Sequence, residues 1–167
     1  MTSANEVWRI AQDTAHYRAD DLSGKGAEEV GGRWNRPGTA LLYCSSSIAL
    51  ACLETVVHLV GSDSLPFNRY LIRIILPPSA WRHRTIFQPH EHVGWDSVPH
   101  GIVSLRWGHS WAASAQSLIA EIPSAIVPEE TNILINPRHR DAKRLRAQKV
   151  RRWTYDPRFA RSELRAH

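Results

Sequence analysis

Arg33 stands in Gly31-Gly32-Arg33-Trp34-Asn35, where glycines let backbone approach a ligand closely and a guanidinium can grip a phosphate in two places. The pentapeptide alone is equally compatible with a turn carrying a surface arginine. Glu54 follows in SIALACLETVVHL, flanked at helical spacing by Leu50, Leu53 and Val57, with His58 one turn on. A carboxylate in that company is partly desolvated, which is costly unless it is paired or used. Its ordinary alternative is a helix-margin glutamate pairing with His58. Tyr43 ends an apolar run just before a serine-rich turn, as a buried strand residue or as a stacking platform whose hydroxyl reaches a polar ligand. Ser124, in Pro123-Ser124-Ala125, occupies a similar strand exit and can be a simple turn.

Several chemistries lack their signatures. GGRWN is neither a P-loop, missing the Lys-Ser/Thr ending, nor a GxGxxG fingerprint after a strand. The nine histidines are scattered without HExxH or a His/Cys cluster, so no metal site is expected. Ser124 lacks a Gly-x-Ser-x-Gly elbow. Cys44 and Cys52 read as small packing residues.

The elements that must position these residues are legible in outline. Strands are predicted over residues 7–10, 40–44, 69–76, 118–122, 131–135 and 151–155. Ser45, Ser46 and Ser47 offer caps for a helix over 48–60 closed by Gly61. A short helix is predicted over 110–116 and a basic one over 141–148; residues 20–32 and 81–99 read as loops. Strands and helices mix without regular βα alternation, which predicts an α+β fold, a compact mixed sheet with flanking helices.

The 167 residues suit one domain, and neither repeats nor linkers divide them. An apolar fraction of 43% with 22% charged residues is globular composition and excludes a disordered chain. The longest apolar stretch, 48–60, is interrupted by Glu54 and His58, so no membrane span is expected. The opening MTSANEVWRIAQD does not read as a secretory signal, and two cysteines fit a reducing cytoplasm. The net charge of +5 is uneven: residues 138–165 hold eleven Lys/Arg against three acids. That run suits an acidic protein partner, nucleic acid or a solvated face. No nucleic-acid motif accompanies it, so direct nucleic-acid binding is not expected.

Together these segments resemble the RES domain, the toxin half of RES–Xre toxin–antitoxin pairs. The matching pieces are Trp8-Arg9-Ile10, Gly26-Ala27, GGRWNRPGTALLYCS, SIALACLETVVHL, GWDSVP, EIPSAIVPEETNILINPRH and YDPRF. They cover nearly the whole chain, as a single RES domain over residues 1–167. The resemblance implies a fold like that of diphtheria-toxin-type ADP-ribosyltransferases. It implies cleavage of the nicotinamide–ribose bond of NAD, by hydrolysis or phosphorolysis or, alternatively, transfer of ADP-ribose to a protein. It also implies an Xre-type antitoxin as partner, and NAD as a consumed substrate with no separate cofactor. The family's Arg, Glu and Ser fall on Arg33, Glu54 and Ser124, and its active-site tyrosine on Tyr43. On this reading Arg33, Tyr43 and Glu54 are catalytic. Arg33 holds the diphosphate, Trp34 and Tyr43 stack on nicotinamide or ribose, and Ser124 orients a carboxylate or a ligand hydroxyl.

Overall fold

Branched aliphatic residues run together in YLIRII, IAEIP and TNILI, as in strands covered on both faces, and in the computed structural model, which describes residues 5–59 and 64–160, the strands build one mixed sheet. Its strands are β1 (Glu6–Ala11), β2 (Leu42–Ser45), β3 (Tyr70–Ile75), β4 (Thr85–Ile86), β5 (Ile119–Pro123), β6 (Thr131–Ile135) and β7 (Arg146–Arg152). They lie in the order β4-β5-β6-β2-β1-β3-β7, parallel only between β4 and β5. The helices are α1 (Lys25–Val30), α2 (Ile48–Val56), α3 (Pro78–Arg82) and α4 (Ile102–Ser114). The fold class is α+β, as the irregular mixture of elements predicts.

The two faces of the sheet differ. One carries a single broad apolar cluster, with Val7, Cys44, Ile72, Ile74, Ile133 and Ile135 buried beneath Leu22, Trp81 and Ala142, and with Arg9 and Lys149 opposite Ile72 in the ladder. The other carries two separate clusters. Under α2, Ile10 and Leu71 pack with Ile48, Cys52 and Val56. Under α4, Leu134, Ala120 and Ile122 pack with Trp107 and Trp111. Ser45 faces Trp8 on β1 and Asn132 on β6, and Tyr43 faces Leu134. This face therefore carries a polar strip on its central strands.

Four expectations are corrected. The loop over 20–32 contains α1, and the loop over 81–99 begins within α3 and contains β4 and a 3-10 turn at Pro89–Glu91. The helix over 110–116 is the end of α4, thirteen residues long. Its buried positions are Ser104, Gly108 and Trp111, a helical stripe of mostly small residues that hydropathy does not reveal. The basic helix over 141–148 is a 3-10 turn, Arg140–Arg144, followed by β7. Pairing of β7 with β3, from Ile75–Arg146 to Tyr70–Arg152, overrides the helix preference of RAQKVRR. Lys149 faces Ile72 across the ladder, places its ammonium over the Tyr70 ring at 4.1 Å and ion-pairs with Asp13. The predicted 48–60 helix is α2 continued by a 3-10 turn to Leu59; its closure at Gly61 lies outside the described residues, as does the last part of the basic run.

Gly108 sets how closely α4 approaches the rest of the molecule. A Cβ there would lie 1.9 Å from the Trp34 carbonyl oxygen, a backbone atom that cannot swing aside. Gly108→Ala should therefore lower stability by about 2 kcal/mol or more, a fall in Tm of about 5 °C. Thermal unfolding of the purified variant measures this, and an unchanged Tm would mean that α4 does not pack this closely.

Candidate active site

The segment between α1 and β2 shows what each residue of GGRWN does. Gly31 closes α1 with a positive φ of 74°, its N–H bonded to the Ala27 carbonyl. Gly32 N–H donates to the Asn35 carbonyl at 2.9 Å, which makes residues 32–35 a tight turn. The turn presses on Tyr43, because a Cβ on Gly32 would sit 2.7 Å from the Tyr43 hydroxyl. Asn35, buried, donates from Nδ2 to the carbonyls of Ala27, Arg36 and Thr39. Its Oδ1 accepts from the Tyr43 hydroxyl at 2.7 Å, and that hydroxyl accepts from Trp34 N–H at 3.0 Å. Tyr43 is thus a brace between strand and turn, and burial pushes its pKa up, so it stays a neutral phenol.

Trp34 points inward. Only 3% exposed, its indole meets Phe87 and Trp107 edge-on at 4.9 and 5.5 Å and stacks with Trp95 at 6.0 Å. The stacking role on a ligand expected for Trp34 is thereby corrected: the ring is spent on the core, where aromatic pairs add about 0.5–1.5 kcal/mol each.

Arg33 projects from the turn. Its Nη1 donates to the carbonyls of Trp95 and Ser97 at 3.0 and 2.9 Å, while Nη2 and Nε make no hydrogen bond among the described residues. Partial burial lowers its pKa, opposed by the negative charges of Glu54 and Asp96. Anchored on one nitrogen, with two others without a hydrogen bond among the described residues, it has the geometry that could grip an anion at two points.

Glu54 sits on α2, which starts at Ser47 as the serine run predicts; the Ser47 side chain accepts from Leu50 N–H at 3.1 Å. The carboxylate turns to the sheet. Its Oε1 accepts from Ser124 Oγ at 2.8 Å and from Asn132 Nδ2 at 2.5 Å, and Oε2 accepts nothing among the described residues. No ion pair joins Glu54 to His58 among the described residues, so the helix-margin alternative does not hold.

Ser124, fully buried, also accepts from the N–H groups of Ile126 and Val127, both at 3.1 Å. With its one donor on Glu54 and both lone pairs engaged, the hydroxyl has nothing left for a ligand. Of its two expected roles, it takes the hold on a carboxylate, and the ligand hydroxyl drops out.

Sequence reasoning missed Asn132 and Ser45. Asn132 Oδ1 accepts from Ser45 Oγ at 2.7 Å, which extends the chain of hydrogen bonds to β2. The available signal was an asparagine in the apolar strand TNILI, on the same face as Leu134. Cys44 and Cys52 behave as packing residues: burial pushes the Cys44 thiol up to about 12 and raises that of Cys52. No cluster of three or more potential metal ligands occurs among the described residues.

Comparison with known proteins bears on this arrangement. The RES domain model matches residues 6–158, which span every site residue. The chain belongs to the RES domain family. A Sphingobium protein named Prs ADP-ribosylating toxin is 54% identical over 155 residues, 92% of this chain and 96% of that protein. A protein named Toxin Res from Yersinia enterocolitica is 36% identical over 151 residues, 86% of this chain and 93% of its own length. Another Toxin Res, from Pseudomonas putida, is 34% identical over 154 residues, 92% and 98% of the two chains. In this RES domain, then, Arg33 and Glu54 present polar atoms without hydrogen bonds among the described residues, while Tyr43 and Ser124 hold the framework.

Tyr43→Phe tests the brace. It strands the Trp34 N–H and Asn35 Oδ1 in a poorly hydrated place, for an expected loss of about 1–3 kcal/mol. Urea unfolding should show a lower midpoint at unchanged slope, whereas an unmoved midpoint would mean that solvent replaces the hydroxyl.

Proposed function

We propose that this RES domain is a toxin that consumes NAD by breaking its nicotinamide–ribose bond. The observation that carries the reading is the carboxylate of Glu54, tied through one oxygen and free on the other, electrostatically coupled to the half-anchored Arg33. When the bond between ribose C1′ and the pyridinium nitrogen breaks, the electron pair goes to nitrogen and nicotinamide leaves neutral. Positive charge develops on the ribose, as in other glycosidic cleavages. A carboxylate about 4 Å away is worth roughly 4 kcal/mol at an effective dielectric near 20. An acceptor then bonds to C1′ and gives up its proton. Arg33 binds the diphosphate through Nη2 and Nε, and the partly exposed Tyr43 ring lines the ribose or nicotinamide.

Water and phosphate as acceptors make the protein an NAD glycohydrolase or phosphorylase. Protein as acceptor is the second reading, favoured by the 54% identity to a relative named an ADP-ribosylating toxin. The names Toxin Res of two further relatives support a neutralising antitoxin partner, which we propose is of the Xre type. The exposed arginines of β7, among them Arg146, Arg151 and Arg152, offer such a partner an acidic-binding edge away from the catalytic groups.

Glu54→Gln keeps shape and removes charge. Nicotinamide release by the purified variant should fall about 10²–10³-fold, with NAD affinity far less affected. A rate within about threefold of wild type would sink the mechanism. Arg33→Lys keeps charge but loses the second point of attachment, so KM for NAD should rise about tenfold or more. Unchanged kinetics would remove Arg33 from the site. Reactions with and without phosphate, and with labelled NAD in lysate, separate the three acceptors by their products.

A further inference from the structure

We infer that Asn132, with Ser45 beneath it, is a positioning residue that decides which oxygen of Glu54 faces the substrate. The inference rests on the reading of Glu54 proposed above. Asn132 and Ser45 stand opposite each other on the paired strands β6 and β2. A carboxylate can only accept, so the amide must present its NH2 to Glu54, which turns Oδ1 toward β2. Ser45, itself buried, meets that oxygen with its hydroxyl at 2.7 Å.

Ser124 alone would leave the carboxylate one contact about which to pivot. Asn132 adds a second donor to the same Oε1 from a neighbouring strand. Two donors on one oxygen define the plane of the group and leave Oε2 as the oxygen without a hydrogen bond among the described residues. An amide is a poor choice for the middle of an apolar sheet, where Ile133, Leu134 and Ile135 are fully buried beside it. Its place is explained by what it does to Glu54. Preorganising a charge in this way acts in the transition state more than in substrate binding.

The test uses the full chain with NAD and reads nicotinamide release for wild type, Asn132→Ala, Ser45→Ala, Glu54→Gln and the Glu54→Gln/Asn132→Ala double variant. Asn132→Ala should lower kcat about 10–100-fold with KM changed by less than about threefold. Ser45→Ala should show a smaller loss with the same split, about three- to tenfold. In the Glu54→Gln background the Asn132 substitution should cost less than about twofold more, because the residue acts through the missing charge. The inference is overturned if Asn132→Ala turns over NAD within about twofold of wild type, or if its loss is undiminished in the double variant. The second outcome would mean that Asn132 supports the fold or touches the substrate. Should Asn132→Ala not fold, Ser45→Ala, which removes one oxygen atom, carries the test, and an unchanged kcat overturns the inference. A wild-type protein that releases no nicotinamide would instead sink the underlying reading of Glu54.

Discussion

The hydrogen bonds that converge on Glu54 join parts of the chain that have no local reason to meet. Ser124 reaches it across 70 residues, Asn132 across 78, and Ser45 joins Asn132 across 87. They close only if β2 lies between β1 and β6, β5 flanks β6, and α2 returns over the same face. The apolar face of the sheet holds that order, and the polar strip on the other face uses it. A partly buried carboxylate without such partners would be a liability rather than a site.

A second constraint governs Arg33. Its guanidinium has a defined position because the turn beneath it is pinned on every side. Gly32 admits the Tyr43 hydroxyl, Asn35 ties the turn to α1 and to the chain leading into β2, and Trp34 anchors in the aromatic cluster. Gly108 lets α4 close over the Trp34 backbone. Small residues thus carry as much of the architecture as large ones, and the turn fixes the guanidinium through Nη1 while Nη2 and Nε make no hydrogen bond among the described residues. The two charged groups are thereby held by independent devices, the arginine by a turn and the glutamate by the sheet.

What could be read from the sequence follows from where the information lies. The strands at β1, β3, β5 and β6 and the serine-capped α2 announce themselves through local pattern and capping, and all are present within a few residues of their predicted bounds. The expected bounds of α4 fall short because its buried stripe is Ser104, Gly108 and Trp111, and only the end of β7, residues 151–152, reads as strand, its first residues reading as helix because their ladder partner is distant in sequence. Residue type points to Arg33, Tyr43, Glu54 and Ser124 in part, and their likeness to the RES motif does so chiefly. Their division of labour was not legible. That Tyr43 braces, Trp34 packs and Ser124 grips a carboxylate are facts of three-dimensional contact, and Asn132 was hidden inside a strand that otherwise reads as core.

The account turns on NAD lying between Arg33 and Glu54, and the most direct measurement is a crystal structure of the Glu54→Gln variant with intact NAD. The account predicts the diphosphate on Nη2 and Nε of Arg33 and the nicotinamide-bearing ribose carbon within about 4 Å of the side-chain atom of residue 54 that takes the place of Oε2, close enough for the carboxylate of the wild type to stabilise developing charge. NAD bound elsewhere, or bound with its diphosphate away from Arg33, would contradict it.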